Sequence, residues 1–283
     1  MEEAIAKAAV LIEALPYIRR FRGRIVVVKL GGSFMDVPAD LEAVCTDVAF
    51  MRAVGIQPVV VHGGGKAITR AMEEAGLVPR FINGLRYTGP QELRIVEDVL
   101  ATDINHQVVA LLEGAGARAE GLTSKGRCAL KAEPLDDKLG LVGKVTDVDD
   151  LLLRGLCDLG TIPVVAPIAL GTDGRKFNCN ADEAASAVAR ALAAEKLVNV
   201  SDTHGIRARP DDGASLLGHL SEADARRLLA EGVISGGMIP KVQTCLAALK
   251  GGVGKAHIIS GRVPHSLLLE VYTDKGVGTE IVP

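Results

Sequence analysis

Short aliphatic runs alternate with longer amphipathic stretches along most of this chain. Three of the runs end in glycine or in a Ser-Asp pair, at residues 31, 63 and 201. Strands that are apolar on both faces are typical of a sheet covered by helices on both sides. Strands that alternate with helices favour parallel pairing through right-handed crossovers. We therefore predict an α/β fold with a mainly parallel central sheet, whose carboxyl edge is the expected place for a ligand.

The periodicity of apolar residues assigns the individual elements. Predicted strands cover residues 25–30, 58–61, 161–166, 197–200 and 257–260. Predicted helices cover residues 3–15, 39–54, 66–75, 90–113, 182–194, 221–231 and 240–250. Residues 123–146 are polar and rich in Lys, Asp and Gly, which indicates a β-hairpin or a surface excursion.

The first helix precedes the first strand. Ala8, Leu11, Ile12 and Leu15 form one apolar stripe, and Pro16 is expected to end the helix. The stripe has two interpretations that the residues leave equally open. It is either an arm that contacts another subunit or a face packed on its own domain.

Composition and charge exclude several classes of function. Aromatic residues make up 3% of the chain, there is no Trp, and the formal net charge is −3, so no nucleic-acid surface is expected. The five cysteines have no metal-site or redox spacing, so we expect reduced thiols and no metal held by the protein. The start of the chain is acidic and no long apolar run follows, so we expect a cytoplasmic protein without a leader or a membrane span.

Two glycine-rich turns follow predicted strands, Gly31-Gly32 and Gly63-Gly64-Gly65. Glycine lets the backbone approach a ligand, and the N-terminus of the next helix offers free N–H groups. The pair of turns indicates a phosphate or carboxylate site, although each alone could be an ordinary tight turn. Neither a Walker A loop nor a G-x-G-x-x-G fingerprint is present, so any ATP must be bound by another architecture.

Three charged residues are placed unusually. Lys29 interrupts an apolar strand, where it either extends its ammonium to water or faces an anion at the sheet edge. Lys241 lies at a helix start, which is unfavourable for the helix dipole but suits a bound anion. Asp182 follows Asn178-Cys179-Asn180-Ala181 and could hold both lysines, although Asn or Asp before a helix is usually only a cap.

A set of sequence strings resembles the N-acetylglutamate kinases, a branch of the amino acid kinase family. The resemblance covers about residues 24–281 and implies a three-layer αβα sandwich. Its strings occur in this order: Val28-Lys29-Leu30-Gly31-Gly32, Val61-His62-Gly63-Gly64-Gly65, Asn83-Gly84-Leu85-Arg86, Pro163-Val164-Val165-Ala166-Pro167, Asn178-Cys179-Asn180-Ala181-Asp182, Ala194-Glu195-Lys196-Leu197, Gly236-Gly237-Met238-Ile239-Pro240-Lys241 and His257-Ile258-Ile259.

The resemblance implies an ATP-dependent kinase that phosphorylates the γ-carboxylate of N-acetyl-L-glutamate, with Mg²⁺ carried by the nucleotide. It implies an N-lobe for acetylglutamate at 21–183 and a C-lobe for ATP at 184–283. The implied catalytic residues are Lys29, Lys241, Asp182, Gly32 and Gly64. The implied substrate-binding residues are Gly64, Gly65, Arg86 and Asn178. The implied nucleotide-binding residues are Lys29, Ser201, Asp202, Gly237 and Lys241.

The resemblance extends to regulation. Arginine-inhibited, hexameric members carry an N-terminal helix, here 1–20 and closed by Leu15-Pro16-Tyr17, and a C-terminal Gly-x-Gly-Thr stretch, here Gly276-Val277-Gly278-Thr279. It implies a homo-oligomer, and in some lineages a PII-type signalling protein as a partner. The implied arginine-binding residues are Tyr17, Lys196, His265, Glu270 and Gly276.

The sequence departs from the family pattern at Ser33, at residues 121–128 and at His204. Two alternative functions remain. One is a related kinase that acts on carrier-bound aminoadipate or glutamate, against which Arg86 is a weak argument. The other is a non-catalytic arginine sensor, which the joint presence of Lys29, Lys241 and Asp182 argues against.

Overall fold

A computed structural model describes residues 1–209, 212–272 and 276–283, with the side chains of 2–8, 10 and 11 left out. Its strands are β1 (Ile25–Leu30), β2 (Gln57–His62), β3 (Phe81–Ile82), β4 (Leu85–Arg86), β5 (Arg118–Leu122), β6 (Leu130–Pro134), β7 (Val142–Val148), β8 (Thr161–Val165), β9 (Ile168–Leu170), β10 (Lys176–Cys179), β11 (Lys196–Ser201), β12 (His219–Ser221), β13 (Lys255–Ser260) and β14 (Thr279–Val282).

The helices alternate with these strands. They are α1 (Glu2–Phe21), α2 (Pro38–Ala53), α3 (Gly65–Glu74), α4 (Pro90–Glu97), α5 (Asn105–Gly114), α6 (Asp150–Asp158), α7 (Ala181–Ala191), α8 (Glu222–Ala230), α9 (Met238–Lys250) and α10 (Ser266–Tyr272). A π-helical segment, Asp98–Ile104, joins α4 to α5. The predicted helix over 90–113 is therefore one continuous helical stretch with a widened turn in its middle.

The central sheet has eight strands in the order β12-β14-β13-β11-β1-β2-β8-β5. Neighbouring strands in it are parallel, except for the antiparallel pair of β13 and β14. This arrangement confirms the predicted mainly parallel α/β sheet. The sheet runs without interruption through both predicted lobes, and the lobe division near residue 183 stays a prediction.

Helices cover both faces of the sheet because side chains along a strand alternate between the faces. Val26 and Val28 of β1 pack in the core cluster that contains residues of α2 and α5. Ile25 and Val27 pack in a second cluster with residues of α6 and α7. The fold is thus the expected three-layer αβα sandwich. The alternation also places Lys29 on the face that α7 covers.

The predicted hairpin within 123–146 is present as the antiparallel pair β6 and β7. The sequence did not predict its partners: β6 and β7 close into a four-stranded barrel with β9 and β10. Buried apolar side chains of the barrel, such as Leu130 and Phe177, belong to the same core cluster as Ile25 and Val27 of β1. The barrel therefore fixes the segment from β10 to α7, which carries Asn178 and Asp182.

The predicted end of α1 at Pro16 is wrong, because the helix continues through Pro16 to Phe21. Proline removes a helical hydrogen bond, but the residues after it compensate by packing. Tyr17 and Ile18 contact the main core cluster, and Phe21 is buried in it. This end of α1 packs on its own domain, while Ile12 is exposed. The side chains of Ala8 and Leu11 lie outside the described residues. No described helix combines the length and apolarity that a membrane crossing needs.

Candidate active site

The two glycine turns lie side by side at the carboxyl edge of the sheet. The Gly31 N–H donates to the Val200 carbonyl at 3.0 Å, and the Gly63 N–H donates to the Leu30 carbonyl at 2.6 Å. These bonds join the ends of three neighbouring strands, so each turn is held by the strand beside it. Gly32 has a φ of +106°, a conformation that favours glycine.

Gly31 and Gly64 have no room for a side chain. A Cβ at Gly31 would clash with the Lys29 ammonium. A Cβ at Gly64 would lie 2.6 Å from the side chain of Ile104 and 2.7 Å from that of Leu100. Glycine at position 31 therefore leaves room for the Lys29 ammonium, and glycine at position 64 leaves room for the side chains of Leu100 and Ile104.

Asp182 lies between the two lysines. Its Oδ1 is 2.8 Å from the Lys29 Nζ, and its Oδ2 is 4.0 Å from the Lys241 Nζ. Asn180 caps α7 by accepting the Asp182 N–H at 2.8 Å, which fixes Asp182 in the first turn of the helix. Lys241 lies in the first turns of α9, after Pro240. Residues from β1, α7 and α9 thus meet at one point, as the sequence suggested.

Burial and charge act in opposition in this group. The exposed fractions of the side chains are 5% for Lys29, 13% for Asp182 and 17% for Lys241. Burial lowers the pKa of Lys29, although the Asp182 carboxylate opposes the shift. Burial alone would raise the pKa of Asp182, but the two lysine charges outweigh it and the pKa lies below its ordinary value. Asp182 is therefore an ionised carboxylate that holds two cations in a poorly hydrated site.

A cavity of about 240 Å³ opens beside this group. The residues that line it include Lys29, Asp182, Arg86, Asn178, Gly32, Gly64 and Gly65. The predicted substrate-binding residues and four of the five predicted catalytic residues therefore share one cavity. A larger cavity of about 510 Å³ adjoins it and shares Gly32, Gly64, Gly65, Phe81 and Arg86.

Arg86 is buried, yet its charge faces the cavity. Its Nη2 donates to the Gly65 carbonyl at 2.8 Å and to the Thr69 hydroxyl at 2.7 Å. Its guanidinium lies 4.8 Å from the centre of the Phe81 ring. Among the hydrogen bonds of the described residues, none joins Arg86 to a carboxylate. The guanidinium thus offers an incoming anion a cation held in a fixed orientation.

A separate cavity of about 360 Å³ lies against the C-terminal half, lined by Asp202 and by residues 203–207 and 233–235 together with Met238. Of the predicted nucleotide-binding residues, Asp202 lines it directly. Ser201 is fully buried and its hydroxyl bonds to Thr203 at 2.9 Å, and Gly237 caps the adjoining helix α9. His204, the unexpected histidine, lies on the cavity wall.

Sequence reasoning missed the partners of Asp202. Its Oδ2 accepts the Ser33 hydroxyl at 2.8 Å, and the Ser33 oxygen in turn accepts the Arg262 Nη2 at 2.7 Å. These two hydrogen bonds therefore link the turn after β1 to the ends of β11 and β13. The only available signal was the position of Ser33 directly after the glycine pair, because Arg262 lies 229 residues away from it.

A fourth cavity, of about 350 Å³, lies between α1 and the C-terminal segment. Four of the five predicted arginine-binding residues line it, namely Tyr17, Lys196, Glu270 and Gly276. The structure does not bring His265 to this cavity. The His265 Nδ1 instead lies 2.7 Å from the buried Asp47 carboxylate. The histidine that pairs with Glu270 is His257, whose Nδ1 is 2.7 Å from Glu270 Oε1.

Comparison with known proteins agrees with this geometry. The model of the amino acid kinase family matches residues 24–260. The chain belongs to the amino acid kinase family. Two of the family members similar to it carry the name acetylglutamate kinase. The one from Heliobacterium modesticaldum is 47% identical over 296 residues, with 100% of both chains covered. The one from Symbiobacterium thermophilum is 45% identical over 293 residues, with 99% of both covered.

A solved structure similar to this amino acid kinase is N-acetylglutamate synthase from Neisseria gonorrhoeae complexed with coenzyme A and N-acetyl-glutamate. The TM-score is 0.88 at 29% identity, and the match covers 98% of this chain. The chain spans 63% of the length of that synthase. The likeness therefore concerns one part of the synthase chain.

Proposed function

We propose that this amino acid kinase transfers the γ-phosphoryl group of ATP to the γ-carboxylate of N-acetyl-L-glutamate. The products are N-acetyl-L-glutamyl 5-phosphate and ADP, in the second step of arginine biosynthesis. The observation that carries the proposal is the position of Lys29, Asp182 and Lys241 beside the cavity of Arg86 and Asn178. The relatives named acetylglutamate kinase favour this substrate.

The chemistry needs no general base. A carboxylate is ionised well above its reference pKa of about 4.3, so one of its oxygens attacks the γ-phosphorus directly. A P–O bond forms to the carboxylate, and the bond to the bridging oxygen breaks, leaving its electron pair on ADP. The obstacle is repulsion between two anions, so catalysis consists of positioning and charge neutralisation. The Lys29 and Lys241 ammoniums and the Gly32 and Gly64 N–H groups supply that neutralisation.

The substrate would be held by its two ends. Arg86 would bind the α-carboxylate through its charge, because its guanidinium lines the cavity and no hydrogen bond among the described residues joins it to a carboxylate. Asn178, whose Nδ2 donates to the Thr88 hydroxyl at 3.0 Å, keeps its amide oxygen available for the acetamido N–H. Gly64 and Gly65 would contact the same substrate through the backbone. The γ-carboxylate would then point toward Lys29.

The nucleotide would lie across the C-terminal half. Its adenosine would occupy the cavity beside Asp202, and its phosphates would reach Lys29, Gly237 and Lys241. Mg²⁺ would bind the phosphate oxygens and supply further charge neutralisation. The Asp182 carboxylate is already paired with Lys29 at 2.8 Å, so it is not free as a metal ligand. The site therefore fits a metal that is carried by the nucleotide.

An assay for acyl phosphate tests the proposal directly. Hydroxylamine traps an acyl phosphate as a hydroxamate, which is measured after incubation with ATP, Mg²⁺ and one candidate acid. We expect product from N-acetylglutamate and little or none from glutamate or aspartate, because only the first carries the acetamido group. An absence of hydroxamate from N-acetylglutamate would overturn the substrate assignment.

We further propose that L-arginine inhibits the enzyme from the cavity between α1 and the C-terminal segment. Glu270 is an acidic partner for a guanidinium or ammonium group there, and Lys196 is a cation suited to a carboxylate. We propose a hexamer in which α1 joins dimers, and the exposed Ile12 is available for such a contact. A PII-type protein stays a predicted partner.

Deletion of residues 1–20 should remove both arginine inhibition and hexamer formation. The deletion takes away Tyr17 and Arg20, which line the cavity, together with the proposed arm. Light scattering would give the mass, and kcat would be titrated with arginine. Since the lysine pair is untouched, the truncated protein should still phosphorylate the substrate in the absence of arginine. A truncated protein that still forms hexamers and responds to arginine would contradict the proposal.

A further inference from the structure

His62 is buried at the end of β2, directly before the second glycine turn. Its Nδ1 lies 3.1 Å from the Gly63 carbonyl oxygen, and its Nε2 lies 3.1 Å from the Asn105 Nδ2. The Asn105 Nδ2 also donates to the Val164 carbonyl at 2.9 Å. Neither His62 nor Asn105 lines the cavities of the active site, so neither touches substrate.

The chemistry of the partners decides which group donates in each of these three hydrogen bonds. The Val164 carbonyl can only accept, so the Asn105 amide must turn its NH₂ toward it. The same NH₂ then donates its second hydrogen to the His62 Nε2, which must be unprotonated. The Gly63 carbonyl can only accept as well, so the His62 Nδ1 carries the hydrogen. His62 is therefore a neutral imidazole in the Nδ1–H form.

The anchored Gly63 carbonyl belongs to the same peptide as the Gly64 N–H. A peptide is planar and trans, so its C=O and N–H point in opposite directions. Holding the carbonyl on the buried side against His62 aims the Gly64 N–H away from the core, toward the cavities that Gly64 lines. A Cβ at Gly64 would clash with Leu100 and Ile104, so the π-helical segment also packs closely on this turn. Asn105 begins directly after that segment.

We propose that His62 and Asn105 are positioning residues that aim the Gly64 N–H at the transferring phosphoryl group. The inference rests on the proposed function for the identity of that group. A misdirected N–H would stabilise the transition state less while leaving the substrate contacts of Arg86 and Asn178 in place. The cost therefore falls on kcat and not on KM.

The protonation of His62 agrees with this role. Burial lowers its pKa to about 4, and the hydrogen bond to Gly63 opposes the shift only in part. The imidazole thus keeps the Nδ1–H form throughout the range in which the enzyme would work, and the Asn105 amide is not forced to turn. The anchor is therefore insensitive to pH near neutrality.

Two substitutions separate the anchor from mere filling of space. In His62→Asn the side-chain amide nitrogen replaces Nδ1 and can still donate to Gly63. In His62→Gln the amide reaches the Nε2 position and can bond only to Asn105. We expect His62→Gln to lower kcat about 10- to 100-fold, with both KM values changed less than about threefold. His62→Asn should retain at least about ten times more activity than His62→Gln. The exposed His106→Gln is the matched control.

A measurement without activity completes the test. In wild-type protein with ¹⁵N-labelled histidine, long-range ¹H–¹⁵N spectra report which ring nitrogen carries the proton. The resonance that disappears in His62→Asn should show the Nδ1–H form from pH 7.5 to pH 5.5. An Nε2–H form, a charged ring at pH 6, or equal kcat values for the two variants would overturn the inference. A correct tautomer with no acetylglutamate phosphorylation would refute the proposed function instead.

Discussion

Replacement of Lys241 with alanine should lower kcat by about 10²- to 10³-fold, the usual loss when one positioned charge or donor is removed from a transition state. The Lys241 ammonium lies 4.0 Å from Asp182 and is mostly buried, in the first turns of α9 where a phosphate would lie. Its proposed interaction grows as charge develops during transfer, so the KM for acetylglutamate should change little. Initial rates with both substrates varied would measure the effect.

The fold should tolerate this change. Asp182 keeps Lys29 at 2.8 Å, so no buried carboxylate is left without a cation. The matched control is Lys250→Ala, which removes an exposed lysine from the last turn of the same helix and should leave kcat unchanged. A Lys241→Ala enzyme with a near-normal kcat would refute the catalytic assignment.

Replacement of Asp182 with asparagine should lower both activity and stability. The change leaves the buried Lys29 ammonium beside Lys241 without its counter-ion. Breaking one side of a buried ion pair costs about 3–5 kcal/mol, and we expect a loss toward the lower end because Lys29 can release its proton. Urea unfolding followed by circular dichroism would give the free energy of unfolding. Glu183→Gln, at the exposed neighbouring position, is the control.

The pH dependence of this loss has a definite sign. Asp182 has a lowered pKa, so its contribution to stability is present above its ordinary pKa and disappears as the pH falls into the acid range. Lys29 has a pKa lowered by burial, and without Asp182 it should fall further. The unfolded variant then binds more protons than the folded one, so the variant should gain stability as the pH rises from 7 to 10. A stability difference from wild type that does not narrow over this range would contradict the proposed charge balance.

The elements of the fold were predictable where the pattern is local. β1 has the predicted bounds of 25 and 30, and the sequence placed the glycines and Lys29 at the end of a buried strand. The prediction that α1 ends at Pro16 was wrong. Local helix propensity includes the hydrogen bond that proline removes, but it does not include the packing of Tyr17, Ile18 and Phe21 after it. The barrel of β6, β7, β9 and β10 was missed because its pairings join segments whose local patterns are weak.

The sequence by itself determined which chemical groups this protein offers. These groups are a lysine in an apolar strand, a lysine and an aspartate at helix starts, and two glycine turns. Their types and spacing are local properties, and similarity to known strings supplied the candidate substrates. Only the tertiary structure decided which groups meet. The contact of Arg262 with Ser33, the position of His265 on Asp47 and the His62–Asn105 anchor join residues 229, 218 and 43 positions apart. Whether residues so far apart in the sequence come into contact depends on strand order, register and crossover geometry. No short segment of sequence contains this information.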